Sequence, residues 1–147
     1  MNKKILAIAF AAILGASVVT VAGFAFTSGP RPPNVKFVEF TPQGTTTLRQ
    51  GESVTVSFNV KNFDSTTVTN ARIVTELEGA QFFTVDKPDY VINEAIAGPD
   101  GQSSEQTIVI TSLNTGDLSA IESAVGVGLI VDDKLVDLRQ FDLRIEK

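Results

Sequence analysis

The chain has 147 residues, 43% of them hydrophobic, with 12 basic and 17 acidic side chains and neither cysteine nor histidine. That inventory excludes zinc sites built from Cys or His, Ser-His-Asp triads, cysteine nucleophiles, haem ligation through His or Cys, and any disulfide. Beyond Phe26, ten basic residues stand against 17 acidic ones, a net charge of −7, which repels phosphate backbones and argues against nucleic acid as a partner.

Lys3 and Lys4 precede a run from Ile5 to Phe26, 22 residues without a charge. A basic start followed by an apolar run reads as a secretory signal peptide or as an uncleaved transmembrane anchor. Gly23-Phe24-Ala25 supplies small residues for cleavage after Ala25, and Gly15-Ala16-Ser17 is an earlier option. Length favours the anchor, since about 20 residues cross a bilayer as a helix; the Ala- and Gly-rich composition favours cleavage. Under both readings Lys3 and Lys4 stay in the cytoplasm and the acidic part lies outside it. If uncleaved, residues 5–26 make the membrane a partner. "TSGPRPPN" (27–34), with three prolines and a glycine, cannot continue a helix and reads as a stiff spacer.

Residues 35–147 read as one β-rich domain. "VKFVEF" (35–40) is a first strand, and "TPQGTTTLRQG" (41–51) breaks it with Pro42, Gly44 and Gly51. "SVTVSFNVKN" (53–62) alternates cleanly: Val54, Val56, Phe58 and Val60 on the buried parity, Thr55, Ser57, Asn59 and Lys61 on the wet one. "ARIVTELEG" (71–79), "QFFTV" (81–85), "YVINEAI" (90–96) and "EQTIVITSL" (105–113) are further strand candidates, and "AGPDGQSS" (97–104) is a loop. "TGDLSAIESA" (115–124) carries the one expected helical turn beyond the N-terminus, with Thr115 or Asp117 placed to cap it. "VGVGLIV" (125–131) and "KLVDLRQFDLRIE" (134–146) flank Asp132-Asp133 as a tight hairpin. In the last strand Val136 and Leu138 share one parity while Phe141, Leu143 and Ile145 share the other, which predicts a β-bulge near Arg139–Gln140.

About seven such runs predict an immunoglobulin-like antiparallel β-sandwich preceded by an apolar helix. The stretch "LRQGESVTVSFNVKNFDSTTVTNARIVTEL" (48–77) carries a turn ending in Gly-Glu, an alternating strand closing on Val-Lys-Asn, a polar loop and an Ala-Arg-Ile-Val strand. In these features it resembles the prokaryotic cell-surface immunoglobulin-like domains of the CARDB and NEW3 kind. The resemblance implies an extracellular adhesive, spacer or structural role. The family usually strings several modules together, and a single copy is present here.

Carboxylates are the main ligand-type side chains. Asp100 and Glu105 lie on or beside a Gly-rich loop, and Asp132 and Asp133 cluster in the hairpin turn with Asp137 nearby. Calcium takes six to eight oxygens, so these residues are the candidates for a surface calcium site, with solvated turn acids as the simpler reading. No other metal, no cofactor and no catalytic residue is expected. Adjacent Phe82 and Phe83 cannot both enter one core from a strand, so one of them packs at the end of the sandwich or meets a partner. The function expected is a non-enzymatic extracytoplasmic surface domain, membrane-anchored or secreted, that contacts a protein or the cell envelope. The alternative is a subunit of a surface filament assembled by β-strand addition, with "VKFVEF" as the donor.

Overall fold

A computed structural model describes residues 31–147. The signal-or-anchor run, its cleavage options and the first half of the spacer lie outside the described residues.

Ten strands form two sheets. They are β1 (Val35–Thr41), β2 (Thr45–Arg49), β3 (Ser53–Asn62), β4 (Arg72–Leu77), β5 (Phe83–Val85), β6 (Asp89–Val91), β7 (Gly101–Gln102), β8 (Gln106–Ser112), β9 (Ala120–Val131) and β10 (Lys134–Glu146). Sheet 1 runs β1-β3-β8-β5, with β7 on the far end of β3; sheet 2 runs β2-β10-β9-β4-β6. All pairings are antiparallel except β2 with β10.

The all-β sandwich stands, but it has ten strands where about seven were expected. Two of the additional strands come from stretches read as turn or loop. β2 is polar and shows no apolar alternation; it is a strand because its Thr-rich backbone pairs in parallel with Asp142–Glu146 of β10. β7 is two residues against Lys61 and Asn62. The helical turn expected over 115–124 is absent. There the Thr115 hydroxyl donates to the Leu118 carbonyl at 2.9 Å and accepts from the Gln50 amide at 2.8 Å, fixing a loop, and β9 already begins at Ala120. A single 3-10 turn, Ala80–Phe82, leads into β5.

The core lies between the sheets. Val56, Phe58 and Val60 of β3 are fully buried and Val54 is half-buried, as the parity predicts. They meet Val125, Val127 and Leu129 of β9 and Phe141, Leu143 and Ile145 of β10. Four phenylalanines form its centre: the Phe37 ring meets Phe58 edge-on at 4.9 Å, Phe40 stacks on Phe58 at 5.8 Å, and Phe141 lies 6.3 Å from Phe40. Burying each such side chain contributes roughly 1.5–3 kcal/mol, and aromatic pairing about 1 kcal/mol more.

The bulge in β10 is real but lies earlier than expected. The β9–β10 register slips between Leu135 and Asp137, leaving Val136 as the extra residue, rather than at Arg139–Gln140. The reason is Leu138. It packs on the outer face of sheet 2 against Val74, Ala124 and Ile130, while Val136 touches the main core. Their shared parity in the sequence is therefore broken between them. Beyond the slip, Asp137 and Arg139 take the same parity as Phe141 and reach β1.

Candidate interaction surfaces

The edges of a sandwich are its first candidates for binding, because backbone groups there have no strand partner. β1 is the edge of sheet 1, and at Phe37 that edge is occupied. The Phe37 N–H donates to Asp137 Oδ2 at 2.9 Å, and Arg139 Nη2 donates to the Phe37 carbonyl at 3.0 Å. Asp137 is itself fixed, accepting from the Leu138 N–H at 2.9 Å and lying 3.5 Å from Arg139 Nε. An acceptor and a donor thus stand where the next strand would place them.

At one end of the sandwich an apolar rim is exposed. Phe83 enters the core, only 6% exposed, and Phe82 at the close of the 3-10 turn is half-buried against the same core. Beside them the Leu113 N–H donates to the Phe82 carbonyl at 2.8 Å. Leu113 is 37% exposed and Leu118, in the same loop, 52%. The loop is tied down: Gly116 N–H donates to Asn114 Oδ1 at 2.8 Å, Lys147 Nζ donates to the Gly116 carbonyl at 3.1 Å, and Thr115 is buried. Sequence reasoning found the Phe82–Phe83 pair and missed Leu113 and Leu118. Both sit among polar loop residues, and only the chain path shows that Leu113 lies against Phe82, with Leu118 in the same loop.

The opposite end is polar. A cleft of about 250 Å³ is lined by Arg31, Asp64, Thr66, Asn70, Val131 and Asp132 among others. Its frame is Asn62, the asparagine that closes β3. Fully buried, it donates to the carbonyls of Thr66 at 2.8 Å and Ile96 at 3.0 Å and accepts the Asp64 N–H at 3.0 Å. Asp64 in turn accepts from Arg31 at 3.2 Å and from the Asn34 N–H at 2.7 Å. Exposed Phe63 carries Lys61 Nζ 5.1 Å above its ring at this end.

The calcium candidates stand in separate settings. Asp132 and Asp133 are the two turn residues of the β9–β10 hairpin, both left-handed at φ 53° and 60°. Asp100 is also left-handed, at φ 65°, and its N–H donates to the Asn62 carbonyl at 2.7 Å. Glu105 is exposed at the start of the β8 segment. Among the described residues no group of three or more carboxylates comes within reach of one ion.

Besides Arg72 and Arg144, which their carboxylate partners raise, three titrating side chains are displaced from their ordinary range. Burial pushes the Tyr90 phenol up to about 12, with Asp86 adding to it, and its hydroxyl donates to Gln106 at 3.2 Å. A bidentate pair with Arg72, at 2.7 and 2.5 Å, lowers the Asp89 carboxyl. Burial raises the carboxyl of Glu76 on β4. Tyr90 shares an open cleft with Glu94, whose Oε1 accepts from the Ser104 N–H and hydroxyl, and no general acid–base pair is assembled among the three.

No family model matches the chain, and no curated protein matches it. Among solved structures it is similar to the periplasmic chaperone SfaE, at 17% identity and TM-score 0.48 over 76% of this chain and 56% of that one. It is similar to the E. coli chaperone DraB at 12% identity and TM-score 0.47, over 78% of this chain and 55% of that one. The chain thus spans a little over half the length of either chaperone. A third likeness is to the CARDB domain of the PF1109 protein from Pyrococcus furiosus, solved in complex with di-metal ions, at 12% identity and TM-score 0.46 over 78% of this chain and 87% of that one. The structural resemblance is to immunoglobulin-like β-sandwich domains, a CARDB domain among them, which is the class that residues 48–77 resemble in sequence.

Proposed function

We propose that this chain is an exported, non-catalytic binding domain whose loop end, built from Phe82, Leu113 and Leu118, contacts a protein or cell-envelope partner. The observation that carries the reading is the exposure of Leu113 and Leu118 on a loop whose backbone N–H and carbonyl groups are held by six hydrogen bonds. An apolar rim on a rigid loop loses little conformational entropy on binding, whereas a mobile loop would lose much more. Export is supported by Lys3 and Lys4 ahead of the charge-free run and by the net charge of −7 beyond it. The absence of histidine and cysteine and the scattering of the acids support a role without chemistry.

Protease added to intact cells tests the location: digestion of residues 35–147 is expected, and protection until lysis would overturn it. Surface cross-linking of the wild type against Leu113→Ser/Leu118→Ser tests the rim. Loss of the wild-type adduct is expected while circular dichroism stays unchanged; an adduct of equal yield would remove the rim from the binding surface. Filament assembly by β-strand addition is the weaker reading, because residues 35–40 already pair with β3 and their outer edge at Phe37 is taken.

A further inference from the structure

Sheet 2 ends at β6, and the outer edge of β6 is open. Two bonds fix the phase of its ladder with β4. The Ile92 N–H donates to the Ala71 carbonyl at 2.7 Å, and the Thr75 N–H donates to the Pro88 carbonyl at 2.9 Å. Bonded and unbonded pairs alternate along an antiparallel ladder. Ile73 and Tyr90, the pair midway between, therefore exchange bonds, while Asp89 and Val91 turn their N–H and carbonyl groups away from β4. Among the described residues no hydrogen bond reaches those four groups. Other edge positions are capped. The Val109 N–H donates to Asp86 Oδ1 at 2.8 Å, and the Val109 carbonyl accepts the Asp86 N–H at 3.1 Å. The Arg49 N–H donates to Glu52 Oε2 at 2.8 Å, and the Arg49 carbonyl accepts the Ser112 hydroxyl at 2.7 Å. Phe37 is held by Asp137 and Arg139 in the same manner.

We infer that the β6 edge receives one extended strand of another polypeptide, with a lysine or arginine side chain entering the cleft beside Glu94. Donors and acceptors that alternate along an open edge are matched by another peptide backbone. The cleft, about 340 Å³, is lined by Tyr90, Ile92 and Glu94 from the β6 side and by Ser104 and Gln106 from the β8 side, among others. Tyr90 shares the inward parity of its partner Ile73, which is buried in the core, so alternate side chains of an added strand would turn toward the cleft. Their polar partners there are the Tyr90 hydroxyl, 3.2 Å from Gln106, and the Glu94 carboxylate. Glu94 is the one charged residue in the lining. Its Oε1 is taken by Ser104, and its Oε2 accepts no bond among the described residues, which leaves an acceptor for a cation. The strand's other side chains would meet Val91, 45% exposed on the outer face. This inference goes beyond the loop rim and uses none of its residues.

The test follows amide resonances of the ¹⁵N-labelled full chain in mild detergent as a capped peptide, Val-Thr-Val-Lys-Val-Thr-Val, is added. Saturable shifts and slowed hydrogen exchange are expected at the Asp89 and Val91 amides. Val91→Pro removes an N–H that β4 does not use, and proline is tolerated on an edge strand. It is expected to abolish the shifts while the rest of the spectrum stays in place. Glu94→Gln keeps an acceptor for Ser104 and is expected to weaken the lysine peptide by about two- to fivefold, the range of an exposed ion pair. A peptide with threonine in place of the lysine should bind both proteins equally. The inference is overturned by the absence of saturable shifts at Asp89 and Val91, by their survival in Val91→Pro, or by equal binding of the lysine peptide to Glu94→Gln. Shifts that appear with protein concentration alone would seat a second copy on the edge and would overturn it as well.

Discussion

Asp137 accepts the backbone N–H of Phe37 across the two sheets, at 2.9 Å and 100 residues apart in sequence. With Arg139 on the carbonyl of the same residue, the pair closes the edge of β1 in the way a neighbouring strand would. Both side chains lie on the parity of Phe141, beyond the slip at Val136, and so face β1.

Asp137→Ala removes an acceptor for two backbone N–H groups, one of them on buried Phe37. A loss of about 1–3 kcal/mol is expected in urea unfolding, since a buried donor is left without a partner. Asp117→Ala, in the exposed loop, is the control and should stay within about 0.5 kcal/mol of the wild type. Equal midpoints for the two variants would mean that water replaces the carboxylate at no cost.

Phe58→Asp is expected to abolish the folded state. It sets an unpaired charge among Phe37, Phe40 and the residues of β9 and β10 at a position with no exposure. The cost exceeds the roughly 5–15 kcal/mol margin of a domain only if the charge stays ionised; protonation limits it to several kcal/mol, still enough for a marginal fold. Thr55→Lys, on the exposed parity of the same strand, should melt near the wild type by circular dichroism. Asn59 is a poorer control than its parity suggests, because its amide donates to the Ser103 carbonyl at 3.0 Å.

Gly98→Ala tests the packing of the 97–101 loop on the start of the polar end. A Cβ there would stand 1.9 Å from the Asp64 carbonyl oxygen, a backbone atom that cannot swing aside. A loss of about 2 kcal/mol or more is expected. Gly51→Ala, at φ 86° with open space around it, should lose only about 1–2 kcal/mol from backbone strain. The order of the two thermal midpoints decides the matter, and a reversed order would contradict the close approach.

The chain has one tyrosine and no tryptophan, so phenolate absorbance near 295 nm reports Tyr90 alone. In the folded protein the transition is expected near pH 12. The unfolded phenol titrates near 10. A raised folded value means that stability is full below pH 10 and falls as pH rises from about 10 to 12. Asp89 works in the other direction: its lowered carboxyl supports the fold above the ordinary carboxylate range, and that support is lost as pH falls through its folded value. A phenolate transition near 10 in a chain still folded by circular dichroism would place Tyr90 in water.

What could be read from the sequence was the part held by alternation. The buried parity of β3, the β9–β10 hairpin at Asp132-Asp133 and the presence of a bulge in β10 all follow from the period of two. β2 could not be read this way. Its five residues are mostly threonine, and what makes them a strand is a parallel partner about a hundred residues away. The bulge was misplaced because Leu138 looks like a core residue and belongs to the opposite face of its sheet. At the loop end, Phe82 and Phe83 announced themselves as adjacent aromatics, but their division into rim and core came from the 3-10 turn, for which Gly79 at φ 63° is the only local cue. Leu113 and Leu118 had no periodic signal at all.

The position of β10 inside sheet 2, between β2 and β9, also sets the order of events during synthesis. It is the last of the ten strands to be made, and both β2 and β9 wait for it. Half of β9's backbone groups and all of β2's ladder have no partner until residues 134–146 have emerged. A chain partway through translation therefore cannot lock into the finished sandwich. For a polypeptide threaded through a narrow channel in extended form, late closure keeps the moving chain loose until nearly all of it has passed.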